Sequence, residues 1–403
     1  MTVVVDYACL SLSSQLLRRQ AVHTDAICGY VRRECSLTSG EFGWVLGAFA
    51  PLNAAVVDGA DHVFQAVRQV ATYGANSLDQ TAAGYAEADR SAHQALSRLA
   101  ATLGTSLPPF TSPIDRDAIL RSGELAPSDF ADGEPSAFEQ IVALPGDIRD
   151  EGRAAIAQAW DRGAGLTGAG VVVERSDAAS YLVAPVGKTS ELDNVRWSAG
   201  PLLGGLDWVF EEIFGYSLLE DVILKPLTGN WAEIQQASVA WSNLGAATMA
   251  MGGNFTGLSS QTFAWRGDAA DAFRLAMAAA GAAVVGLSYA ADVVAGVVDK
   301  IGMVAELAAK GISAALNWIV TKLARMAAEA SVPIAGWVVA AAETALLVFE
   351  ISKWVRRIYA LINLIIDSIE GAVQARVKLA QAAFALEDLM EGLGRRAAQP
   401  VAG

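Results

Sequence analysis

The chain has 403 residues, 53% of them hydrophobic, enough apolar surface for substantial cores and too much for a disordered chain. A net charge of −14 repels phosphate backbones and anionic surfaces at long range, so nucleic acid is excluded as a natural partner. The three cysteines, Cys9, Cys28 and Cys35, lack CxxC spacing and a second cluster, so a structural zinc site is not expected and buried thiols are.

The opening MTVVVDYACLSLSSQLLRR carries Asp6 inside a short apolar stretch and arginines after it, the reverse of a secretory signal peptide. Residues 1–103 read as a helical hairpin. Its first helix runs from around Leu10 to Cys35 and is broken by SLTSGEF; its second carries Phe49, Val56, Val63 and Val70 at seven-residue spacing, a stripe that buries against a neighbouring helix. Pro51 must sit near the start of that second helix or kink it. Residues 104–193, with Pro108, Pro109, Pro113, Pro127, Pro135, Pro145 and Pro185, read as an irregular linker that holds at most short helices such as 150–160 and a short strand at GVVVE (170–174).

Residues 194–300 return to helix. Asp207 to Leu219 forms a short amphipathic segment, Trp231, Ile234, Trp241, Leu244, Met251 and Phe255 trace a helical stripe, and after TFAWRGDAADAF a second long helix runs from Asp268 toward Lys300. Residues 301–403 add two or three apolar helices, with 327–333 as the break between them. The stretch 331–349 approaches the length of a membrane span, but Pro333, Gly336 and Glu343 favour a buried amphipathic helix. The expected fold class is mainly α: helical hairpins forming one or two bundles, joined by a Pro/Gly-rich linker.

No motif for chemistry stands out. His23, His62 and His93 match no HExxH or similar metal spacing, GAGLTGAG lacks the lysine of a phosphate loop, and the paired carboxylates Glu211/Glu212 and Glu220/Asp221 are sequence neighbours on different helix faces. No catalytic residue, metal ligand or cofactor is assigned, and the expectation is a protein without enzymatic activity.

Two short motifs do stand out by their setting. Trp265, Arg266 and Gly267 form Trp-x-Gly at the turn between two long helices. Tyr85 and Asp89, in GYAEADR, form Tyr-x-x-x-Asp where the second N-terminal helix is expected to finish. Tyr30 with Glu34 and Tyr216 with Glu220 share the tyrosine spacing but lie at no hairpin exit. The first motif resembles the WXG helical-hairpin substrates of actinobacterial type VII (ESX) secretion, and the second is similar to that pathway's C-terminal secretion signal. Residues 5–96 as a whole resemble the EspC-like hairpin proteins. In the PE and PPE families the two halves of the signal come from paired subunits, whereas EspB-type fused relatives carry both in one chain.

The resemblance implies secretion, or display at the cell surface, without a cleaved signal peptide. It also implies an export ATPase that reads Tyr85 and Asp89 from one helix face, with Trp265 either covering the bundle end or exposed for recognition, and Gly267 easing the reversal. A small WXG-type partner or chaperone, self-association and membrane contact stay open as further partners. Two alternatives accompany the reading of a helical interaction or effector protein: a membrane-active or pore-forming effector acting through the C-terminal helices, suggested by a mean hydropathy of +0.35, and the export module of a polymorphic toxin lacking its toxin domain. Fusion of two hairpins predicts that Tyr85 and Trp265 lie at the same end of the molecule.

Overall fold

The structure, a computed structural model, describes residues 3–37, 43–114, 118–122, 172–186, 207–227, 230–330 and 337–369. It is mainly α. Helix α1 (Tyr7–Glu34) begins three residues earlier than its apolar pattern suggests, because the Asp6 carboxylate accepts from the Cys9 N–H and caps it. Helix α2 (Trp44–Thr102) returns antiparallel, and its predicted stripe of Phe49, Val56, Val63 and Val70 is buried throughout. Pro51 falls in the second turn of α2, where the lost bond would have gone to the carbonyl of Gly47.

The register of this hairpin can be followed down its surface. Arg32 pairs with Asp61 at 2.6 Å, Arg68 with Asp25 at 3.0 Å and Arg18 with Asp79 at 2.5 Å, while Tyr7 reaches Asp89 at 2.7 Å. Such exposed pairs contribute little stability each. The apolar seam between the helices, including Leu10, Leu17, Val31, Val63 and Ala71, carries the association.

After α3 (Asp207–Phe214) the chain forms a π-helical stretch, Leu218–Leu224, that runs into the short turn Lys225–Leu227. The carboxylate of Asp207 accepts from Ser217 Oγ and from the N–H groups of Leu218 and Leu219, which fixes the start of that stretch. Helix α4 (Ala232–Gln261) and helix α5 (Asp268–Ala330) then form the second hairpin. Its predicted stripe from Trp231 to Phe255 is fully buried. Small residues set its close approach: a Cβ on Gly252 would lie 2.6 Å from Val285 Cγ2, and one on Gly281 would lie 2.4 Å from Thr256 Cγ2. Neither position has room for alanine without displacing the partner helix.

Helix α5 does not stop near Lys300. Alanine-rich sequence without proline or a turn signal carries it to Ala330, so the expected boundary between 300 and 301 falls inside one continuous helix. Helix α6 (Trp337–Ile369) packs back on this extension, with Gly311 against Leu361 and Trp318 beside Trp354. The break expected at 327–333 matches the end of α5; residues 370–403 and the expected short helix at 150–160 lie outside the described residues.

The two hairpins form one bundle. Helix α1 meets α4 antiparallel through Thr24 and Met251, Gln20 and Asn254, and Tyr30 and Asn243. Helix α2 faces α5 across Phe49, Leu52, Val56, Val294 and Val298, which enclose only a water-sized gap. The same pairings, continued along the bundle, bring the start of α1 and the Tyr85–Asp89 stretch of α2 level with the α4–α5 turn.

The proline-rich region is more than a linker where it is described. Residues 172–183 lie along the groove between α1 and α4, with Val172, Glu174, Ser176 and Ala178 buried. Of the expected strand at GVVVE, the described residues show an isolated parallel bridge between Glu174 and Ser122, with no further described strand beside it. Cys9, Cys28 and Cys35 are buried free thiols; burial pushes Cys9 up to about 11 and Cys28 up to about 12.

Candidate functional site

The end of the bundle that holds the α4–α5 turn also gathers both sequence motifs. Gly267 sits at φ +128°, a backbone state that disfavours any residue with a Cβ, and its open face lies against Val3. Beside it the N-terminal residues pair with the turn: Val4 N–H donates to the Arg266 carbonyl at 3.2 Å, and Arg266 N–H donates to the Val4 carbonyl at 2.8 Å. Residues 3–5 therefore tie the Trp-x-Gly turn to the start of α1.

Trp265 is not presented to solvent. It is 2% exposed, tilted against Phe273 at 5.8 Å between ring centroids, and its indole N–H has no acceptor among the described residues. Of the two roles implied by the resemblance, the structure shows the covering one: the ring closes the end of the bundle. Arg274 holds the turn from beneath, donating to the carbonyls of Thr262 and Trp265 and pairing with Asp271 at 2.7 Å, with its guanidinium over the Phe263 ring. A cation against the last carbonyls of α4 suits the negative end of that helix. Burial lowers the pKa of Arg274 from its ordinary value, opposed by Asp271.

One step along from Val4, Tyr7 donates its hydroxyl to Asp89 Oδ2 at 2.7 Å. Burial first, and then the Asp89 carboxylate, push the Tyr7 hydroxyl up to about 12, so it stays a donor throughout the neutral range. Tyr85 lies beside Tyr7, half-buried against the core, and Asp89 is exposed. The chain Tyr85–Tyr7–Val4–Arg266 thus brings the four predicted signal residues, Tyr85, Asp89, Trp265 and Gly267, to one end of the molecule. Sequence reasoning missed Tyr7, Val4 and Arg274, because a lone tyrosine, a valine and an arginine carry no spacing signal of their own.

The setting of Tyr85 differs from its sequence expectation. Helix α2 does not finish near Asp89; the polar, alanine-rich sequence continues it to Thr102, and Gly104 at φ +75° ends it. Helix α1 begins at Tyr7, so α2 projects past it and past the turn. On this overhang the chain returns along one side of α2, with Phe110 against His93 and under Arg90. Leu96, Leu99 and Leu103 remain 56%, 57% and 72% exposed, and they continue the helical line that starts at Tyr85 and Asp89. An apolar stripe of this kind fits a groove or a helix of a partner.

A second polar cluster lies deeper, where Glu174 is fully buried. Its carboxylate accepts from Arg19 at 2.7 Å, Gln20 at 3.1 Å and Ser122 at 3.2 Å, and faces His23 Nε2 at 2.8 Å. Asn254 links the same cluster to the backbone of Arg175 and Ser176. Burial alone would raise the Glu174 pKa; the bonds from His23 and Arg19 outweigh it and leave it below its ordinary value. With both carboxylate oxygens satisfied, this network fastens residues 172–183 to α1 and α4. Among the described residues no three His, Cys, Asp or Glu side chains gather as a metal site.

Compared with known proteins, the chain matches no family model, no curated protein and no solved structure.

Proposed function

We propose that the protein is a substrate of an actinobacterial type VII (ESX) secretion system, acting as a helical interaction or effector protein after export and not as an enzyme. The observation that carries this reading is the meeting of Tyr-x-x-x-Asp and Trp-x-Gly, from two separate hairpins, at one end of a single bundle. The two motifs have different jobs in it. Trp265 and Gly267 shape the turn that receives residues 3–5, and those residues position Tyr7 against Asp89.

What a receptor reads is then the α2 overhang: the edge of Tyr85, the Asp89 carboxylate and the apolar stripe of Leu96, Leu99 and Leu103. An aromatic ring, a charge and three leucines along one helical line suit helix-in-groove recognition, in which a few anchors carry most of the binding energy. The export ATPase is the proposed reader. Binding of the full-length chain to the purified ATPase should weaken tenfold or more when Leu96 and Leu99 are both changed to Ser, with little change in the thermal midpoint because both side chains are mostly exposed. Equal affinity of variant and wild type would remove the overhang from the recognition surface.

A further inference from the structure

The extension of α5 and its partner α6 carry a cluster that the export reading does not use. The antiparallel pairing of these helices sets Trp318 beside Trp354, ring centroids 5.5 Å apart, and each indole has a cation over it: Lys322 at 5.2 Å from the Trp318 centroid and Arg357 at 5.1 Å from the Trp354 centroid. One turn back on α6, Lys353 lies 4.6 Å from the centroid of Phe349, which is 53% exposed. Arg356 adds a further exposed cation on the same helix.

This composition is unlike the rest of the molecule. In a chain of net charge −14, three cations lie over three aromatic rings with Arg356 as a fourth on the same helix, and the described acid beside them in sequence is Glu350. No described carboxylate forms an ion pair with Lys322, Lys353 or Arg357. Aromatic rings whose edges remain in contact with water, flanked by long cationic side chains, match the boundary between headgroups and acyl chains of a bilayer: indoles settle at that depth, and lysine and arginine extend from it to the phosphates.

We propose that the α5–α6 surface formed by Trp318, Lys322, Phe349, Lys353, Trp354 and Arg357 is a docking site for an anionic lipid bilayer, bound peripherally. Charge complementarity selects the anionic headgroup, and the exposed Phe349 beside the cations favours a bilayer over a nucleic acid, whose phosphates offer it no apolar layer. Contact is at the surface and not by spanning: one described helix, Asp268–Arg325, is long and apolar enough to cross a membrane, but 56% of its apolar window is already buried in the bundle.

Co-sedimentation of the full-length protein with vesicles tests this. Equal-part phosphatidylcholine and phosphatidylglycerol vesicles should bind the protein, phosphatidylcholine vesicles should not, and added salt should release it. The triple variant Lys322→Glu, Lys353→Glu, Arg357→Glu should bind at least tenfold less, at about fivefold per charge lost near the surface. Arg357→Gln alone, which disturbs packing least, should bind several-fold less, with unchanged circular dichroism as the folding control. Encapsulated dye should stay inside the vesicles. Equal binding to neutral vesicles, undiminished binding of Arg357→Gln and the triple variant, dye release, or tighter association with an RNA oligonucleotide than with the acidic vesicles would each overturn the proposal.

Discussion

Trp265→Ala is expected to destabilise the protein by about 3–5 kcal/mol, the range for removing a fully buried large aromatic side chain. The indole closes the end of the bundle against Phe273, and its removal leaves a cavity beneath the turn that Arg274 and the Val4–Arg266 pairing hold together. Trp265→Phe should cost much less, about 1.5 kcal/mol or below, because the indole N–H has no acceptor among the described residues to lose. Chemical denaturation of the two variants checks this. A Trp265→Phe variant as unstable as Trp265→Ala would mean that the nitrogen matters in a way the packing does not explain. The pair also separates two meanings of the motif: if Trp265 acts by shaping the turn, Trp265→Phe is exported and Trp265→Ala is lost with its fold.

Glu174→Ala should cost about 3 kcal/mol. Removing one partner of a buried charge pair typically costs 3–5 kcal/mol, and the lower figure applies because Arg19 keeps 36% of its side chain in water. Gln20, His23 and Ser122 lose an acceptor at the same time. The pH dependence has a defined sign. Since Glu174 is held below its ordinary value in the folded state, its contribution is complete above the unfolded carboxylate pKa, about 4.3, and is lost as pH falls through the lower folded value. Wild-type stability should therefore drop more steeply than that of Glu174→Gln as the solution is acidified below about pH 4.3. Parallel acid profiles for the two proteins would show that the network contributes nothing through Glu174 ionisation.

The helices were legible because their signals are local. Heptad-spaced Phe49, Val56, Val63 and Val70, and the stripe from Trp231 to Phe255, announce buried faces whatever those faces meet. Helix ends were less legible where no proline intervenes: the sequence after Asp89 is ordinary helix-forming sequence, the alanine-rich stretch after Lys300 carries Gly302 and Gly311 within the helix, and both helices run on. Residues 172–183 could not be recognised as a clamped segment at all, since the partners of Glu174 are more than a hundred residues away on α1 and its burial depends on them. The four signal residues were legible as types and spacings, and docking of the hairpins placed Tyr85 and Trp265 at the same end. The contacts that join them there were not legible, because they are made by Val4 and Tyr7, whose roles exist only once the two hairpins have docked. The Trp318–Trp354 cluster shows the same limit: thirty-six residues apart in sequence, the two rings meet only through the antiparallel return of α6.

The account turns on whether the Tyr85–Asp89 end of α2 is an export address. The direct measurement is the distribution of the full-length protein between culture filtrate and cell pellet in an actinobacterial host with an active type VII system and in the same host lacking its export ATPase, for wild type, Tyr85→Ala and Trp265→Phe. The account predicts wild type and Trp265→Phe in the filtrate of the first host alone, and Tyr85→Ala retained in the pellet as folded protein. Wild type in the filtrate of both hosts, or Tyr85→Ala exported as efficiently as wild type, would contradict it.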